Sequence, residues 1–233
     1  RINSLLGSNS SRIKTIHIPS NIDYIGDGAF YRTSVEVLYI SNSKLEFSQN
    51  AFVNDFGSSY STTKLVAIYF EGSLSDWVSK ISCPSMYGPL VQTGSVYLNS
   101  TGNCDEGLSE YMDIVIPYGT TTINPYSLYF GPIATNEEVN ITIPSTVKSI
   151  GAYNLSNTTN RKVTIYYDGS IKDWITLCEN SCQISTSSNK VYFKNELGEY
   201  ELLTNVIIPD DVEKISKNSF TEFDTLVNIT IPN

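Results

Sequence analysis

The chain has 233 residues, 24 of them acidic and 15 basic, for a formal charge of −9, which excludes a nucleic-acid groove built on clustered Lys and Arg. A single histidine rules out every metal centre that needs two imidazoles, and the four cysteines show no Cys-x-x-Cys spacing. Tyr, Ser, Thr and Asn fill the places that charges usually hold, a composition that speaks for an architecture rather than a reaction.

The chain opens on Arg1 with no apolar leader and stops at Ile231-Pro232-Asn233 inside a repeat, so it reads as a piece of a chain that continues beyond 233. The longest apolar run, Leu65 to Phe70, is closed by Glu71, far short of the roughly 18 residues that span a membrane.

Taken in chain order, the predicted elements repeat. Ile16-His-Ile-Pro19, Ile114-Val-Ile-Pro117, Ile141-Thr-Ile-Pro144 and Val206-Ile-Ile-Pro209 share one pattern, and Ile229-Thr-Ile-Pro232 opens a further copy. Three residues after the first four prolines stand Ile22, Thr120, Val147 and Val212; six after stand Ile25, Ile123, Ile150 and Ile215. Phe30, Leu128, Leu155 and Phe220 follow five later. Another copy has Ser41 in the proline position, then Phe47 and Phe52. A second unit is interleaved: Ile68-Tyr-Phe-Glu-Gly-Ser-Leu-Ser-Asp-Trp77 and Ile165-Tyr-Tyr-Asp-Gly-Ser-Ile-Lys-Asp-Trp174 match almost residue for residue. The whole is two rounds of a larger cycle, about 13–130 and 131–233, within a single solenoid fragment spanning 1–233.

Each opening alternates apolar and polar residues, the period of a half-buried strand, and proline ends the strand because it has no N–H for the ladder. Ten strands are expected, centred on 17, 39, 69, 97, 115, 142, 166, 192, 207 and 230. Their mean step of about 24 residues fits one coil of a solenoid, where each coil buries its apolar face on the next. Ser73 and Ser170 are expected to cap short helices, with Asp76 and Asp173 completing capping boxes. Leu74, Trp77, Val78 and Ile81 then share one helical face, as do Ile171, Trp174, Ile175 and Cys178, which puts both tryptophans in the core.

These residues resemble the BspA-like leucine-rich repeats of bacterial and protozoan surface proteins. Ile18-Pro19, Ile22, Ile25-Gly26 and Ala29-Phe30 follow that family's pattern throughout, and Ile143-Pro144, Val147 and Ile150-Gly151 follow it with Asn154-Leu155 at the end. The departures are Ser41 for proline, Asn124 and Ser216 for glycine, and irregular stretches at 53–61 and 99–110. The resemblance implies an α/β repeat solenoid, a right-handed leucine-rich-repeat superhelix with a continuous, mostly parallel sheet and short convex helices. It also implies a non-enzymatic recognition or adhesion module, extracellular or on the cell surface. The partner it implies is a protein of the host matrix or a cell surface, with glycan as the second ligand class.

Strand alternation predicts an outward ladder of His17, Tyr39, Tyr69, Tyr97, Val115, Thr142, Tyr166, Tyr192, Ile207 and Thr230, five of them tyrosine. The expected binding face is His17, Tyr39, Tyr69, Tyr97, Thr142, Tyr166 and Tyr192, since tyrosine offers a large contact area and a hydroxyl at low entropic cost. The same tyrosines would also stabilise the sheet laterally, and a stalk or spacer with no ligand of its own is the competing role.

No catalytic residue, cofactor or metal is expected. His17 reads as an exposed strand residue, and no Gly-x-Ser-x-Gly elbow is present. The acidic pairs Asp105-Glu106, Glu137-Glu138 and Asp210-Asp211 read as solvated turns, since a glycosidase needs two acids facing each other. Gly26-Asp-Gly28 lacks the third glycine of a dinucleotide loop. Cys178 takes the place of Ile81 and is expected to be buried; a Cys178–Cys182 bridge would strain a helix, and Cys83 and Cys104 lie about one coil apart.

Overall fold

The structure is a computed structural model describing residues 1–2, 12–31, 33–48, 50–52, 65–82, 95–98, 113–128, 138–151, 154, 162–179, 190–216, 218–221 and 223–232. Two compact units divide the chain: Arg1–Tyr111 with Asn124–Thr135, and Met112–Ile123 with Asn136–Asn233. Each is built as a parallel β-solenoid.

In the first unit, β1 (Thr15–Ile18), β3 (Val37–Ile40), β5 (Ala67–Phe70) and β7 (Ser95–Leu98) form one parallel sheet in that order. A second parallel ladder joins β2 (Tyr24–Ile25), β4 (Leu45–Phe47) and β6 (Ile81–Ser82). Helix α1 (Leu74–Lys80) links β5 to β6. Between the two ladders lie Ile18, Ile25, Leu38, Ile40, Phe47, Ile68 and Phe70, all essentially inaccessible to solvent.

The second unit repeats the plan. Its main sheet runs β8 (Asp113–Val115), β10 (Glu138–Ile143), β12 (Lys162–Tyr167) and β13 (Lys190–Lys194), all parallel, with β14 (Tyr200–Leu202) added antiparallel to β13. Strands β9 (Thr122–Ile123) and β11 (Ser149–Ile150) form the second ladder, and α2 (Ile171–Cys178) packs beside β11. Strands β15 (Asn205–Ile207) and β16 (Asn228–Thr230) pair with each other.

All ten expected strands are present. They form three sheets among the described residues rather than one continuous ladder. Residues 194–200 fold back through a turn at Gly198, whose φ of 82° suits glycine, and β14 thereby takes the edge of β13 that β15 would otherwise use.

The backbone explains the fixed offsets of the repeat. The carbonyls of Pro19, Pro117, Pro144 and Pro209 each accept from the N–H three residues on, at Ile22, Thr120, Val147 and Val212, which closes a β-turn. That turn delivers Ile25, Ile123 and Ile150 to the second ladder, where each is at most 1% exposed. Ile215, at the same offset in the last coil, lies outside any strand and is 38% exposed. A further turn brings Phe30 and Leu128 into the core; Leu155 lies outside the described residues. Ser41 keeps an N–H that proline lacks and donates it to the Ile18 carbonyl, while its hydroxyl bonds Glu71.

Both capping boxes form, Ser73 with Asp76 and Ser170 with Asp173. Trp77 and Trp174 are buried, and their indole N–H groups donate to the carbonyls of Ser127 and Ser219, one turn residue in each unit. An indole buried without such an acceptor would cost about 1–3 kcal/mol. Cys178 is buried; Cys83, Cys104 and Cys182 lie outside the described residues.

Candidate functional site

Strand pairing decides which outward side chains meet. Parallel register sets His17 opposite Tyr39, Tyr39 opposite Tyr69, and Tyr69 opposite Tyr97. Neighbouring strands lie about 4.8 Å apart, close to the thickness of two rings in contact, so the side chains stack. Ring centroids are 4.4 Å apart for His17–Tyr39, 4.9 Å for Tyr39–Tyr69 and 4.8 Å for Tyr69–Tyr97, with planes within 20° of parallel. His17 is exposed and the three tyrosines are half-buried. Stacking covers the ring faces, so the exposure that remains lies at the ring edges.

In the second unit Thr142 lies in register between Val115 and Tyr166, and Tyr166 faces Tyr192. Tyr166 and Tyr192 stack at 5.0 Å and 20°. The sites predicted from sequence thus form two groups, four rings in the first unit and Thr142, Tyr166 and Tyr192 in the second.

Three members of the second group were not foreseen. Tyr200, carried by β14, reaches back across β13 to meet Tyr166 edge-on at 5.0 Å and 70°, and donates its hydroxyl to Asp168. Lys194 sits 3.3 Å from the same Asp168 oxygen and 5.3 Å from the centre of the Tyr200 ring. The only forewarning was the short step from 192 to 207, too brief for a coil and long enough for a hairpin. Burial first, and then the Asp168 hydrogen bond, push the Tyr200 phenol up to about 12. Burial, with Tyr192 beside it, also raises Tyr166. Both remain neutral hydrogen-bonding phenols at physiological pH.

The groups that could do chemistry are placed otherwise. Glu138 lies 3.6 Å from Lys162, and Asp211 is ion-paired with Lys172 at 2.5 Å, both pairs largely exposed. Asp210 is exposed, and Asp105, Glu106 and Glu137 lie outside the described residues. A surface depression of about 490 Å³ beside β2, β4 and β6 is lined by Asp23 and Glu46 together with Arg1, Lys44 and Lys80, and by none of the outward residues of the main sheets. Among the described residues no three His, Cys, Asp or Glu side chains converge as metal ligands, and no helix is long and apolar enough to cross a membrane.

The BspA type leucine rich repeat region matches the chain in six copies, over residues 2–75, 106–223 and 192–233. No curated protein matches. Among solved structures the chain is similar to a leucine rich cell surface protein from Faecalibacterium prausnitzii A2-165, at 16% identity and a TM-score of 0.39. That likeness covers 96% of this chain and 61% of the other.

Proposed function

The chain belongs to the BspA-type leucine-rich-repeat family, and from that premise we propose that it is a non-enzymatic recognition module, extracellular or on the cell surface, that binds a protein partner through the outward face of its main sheets. The observation that carries this reading is the in-register row of His17, Tyr39, Tyr69 and Tyr97 on β1, β3, β5 and β7. Each ring is already held by its neighbours, so a partner would meet a surface that loses little side-chain entropy on binding. The outward edges carry phenol hydroxyls, and tyrosine is among the residues that most often dominate interface energies. Tyr166, Tyr192 and Thr142 form a smaller patch of the same kind in the second unit.

The test is solid-phase binding of the full chain to purified extracellular-matrix and cell-surface proteins, with Tyr69→Ser/Tyr97→Ser beside it. Loss of about 2 kcal/mol, roughly 30-fold in Kd, is expected for any partner that uses the row. Equal binding by the folded double variant would remove this face from the account, and a spacer gives no saturable binding to any panel member.

A further inference from the structure

The tyrosines of the main sheets are piled ring on ring. That arrangement has a chemical consequence independent of any partner. One-electron oxidation of a phenol places much of the unpaired electron on the ring carbons ortho to the oxygen, in orbitals perpendicular to the ring plane. Two such rings couple when those orbitals point at each other. Tyr39–Tyr69, Tyr69–Tyr97 and Tyr166–Tyr192 have centroids 4.9, 4.8 and 5.0 Å apart and planes 15°, 20° and 20° from parallel. All five rings are partly open to solvent.

We propose that these three pairs are sites of oxidative cross-linking, joined as dityrosine by hydrogen peroxide and a haem peroxidase. In each link two phenols each give up one electron and the hydroxyl proton. The two electrons and two protons reduce one peroxide to two waters. The paired radicals form one carbon–carbon bond between ortho carbons, and each of those carbons passes its hydrogen to the ring oxygen, restoring both phenols. The protein loses two hydrogens per link. Tyr69 has two ortho carbons and two stacked neighbours, so it can join both. The product is a covalent rivet between strands one coil apart.

The same sheet carries an internal control. Tyr200 is as close to Tyr166 as Tyr192 is, 5.0 Å, but stands at 70°, which turns its π orbitals away from those of Tyr166. Tyr118 is 82% exposed and would lead if accessibility alone chose the site.

The experiment treats the full chain with peroxidase and peroxide, digests it with trypsin, and identifies linked peptides by mass spectrometry. Expected are intrachain links at Tyr39–Tyr69, Tyr69–Tyr97 and Tyr166–Tyr192, none at Tyr166–Tyr200, and loss of this selectivity in concentrated urea. Tyr69→Phe should remove both links of the first unit and leave Tyr166–Tyr192 in place. The proposal is overturned if dityrosine is absent, if links are chiefly between chains or led by Tyr118, or if the same pairs form in urea.

Discussion

Phe70 and Tyr167 occupy the same place in the two copies of the aromatic segment, both at 0% exposure, but only Tyr167 carries a hydroxyl, and that hydroxyl has no hydrogen-bond partner among the described residues. A buried unpaired hydroxyl is destabilising, and the first copy shows that phenylalanine fits. Tyr167→Phe is therefore expected to be neutral or to stabilise by about 1 kcal/mol in urea unfolding. Burial raises the Tyr167 phenol above its ordinary value of 10.0. The unfolded chain thus ionises first, so stability is held below about pH 10 and falls as pH climbs above it; the Phe variant should show a shallower alkaline fall. The glycine two residues on has a steric role. A Cβ at Gly72 would lie 2.4 Å from Phe70 Cζ, and one at Gly169 would lie 2.4 Å from the Tyr167 hydroxyl. Gly169→Ala is expected to cost about 1–3 kcal/mol by overpacking a buried ring, measured by the same unfolding curves. The recurrence of Gly was plain in the sequence. Its reason was not, because the close approach is between a ring folded inward and a backbone that turns across it.

Among the elements, the two helices of the described residues are shorter than an isolated peptide could sustain and depend on their ends. In each box the Ser side chain accepts from the N3 backbone and the N3 Asp accepts from the cap N–H. Ser73→Ala and Ser170→Ala should each cost about 1 kcal/mol, read by chemical denaturation. Asp76 is held below its ordinary carboxylate value of 3.8 by Lys80 and then Ser73, and Asp173 by Ser170. Depressed carboxylates contribute stability above about pH 4 and lose it as pH falls toward their folded values. The cost of either Ser→Ala change should accordingly shrink below pH 4. Both caps were legible because a capping box is a four-residue pattern. The strands of the second ladder, two or three residues each, were not: a period cannot show in so short a run, and their hydrogen bonds go to strands of neighbouring coils.

For the whole molecule, stability in a repeat array is a sum of coil-to-coil contacts, so position in the ladder sets local protection. Strands β3, β5, β10 and β12 are paired along both edges. By contrast, β15 and β16 pair only with each other among the described residues, and Val227, Ile229 and Ile231 there are 74%, 45% and 65% exposed. Native-state amide exchange should be slowest in the first group and fastest in β15 and β16; uniform protection would contradict a nearest-neighbour array. The sequence by itself determined the ten main strands, their ends at proline, the helix caps, the buried tryptophans and the outward side of each ladder tyrosine. These follow from alternation and spacing within a few residues, where backbone geometry leaves little choice. Only the tertiary structure decided that His17, Tyr39, Tyr69 and Tyr97 touch ring to ring, that β14 takes the edge of β13, and that Tyr200 is tied to Asp168. Those contacts join residues as much as 32 positions apart, and they exist only once coil closure has fixed which strand lies beside which.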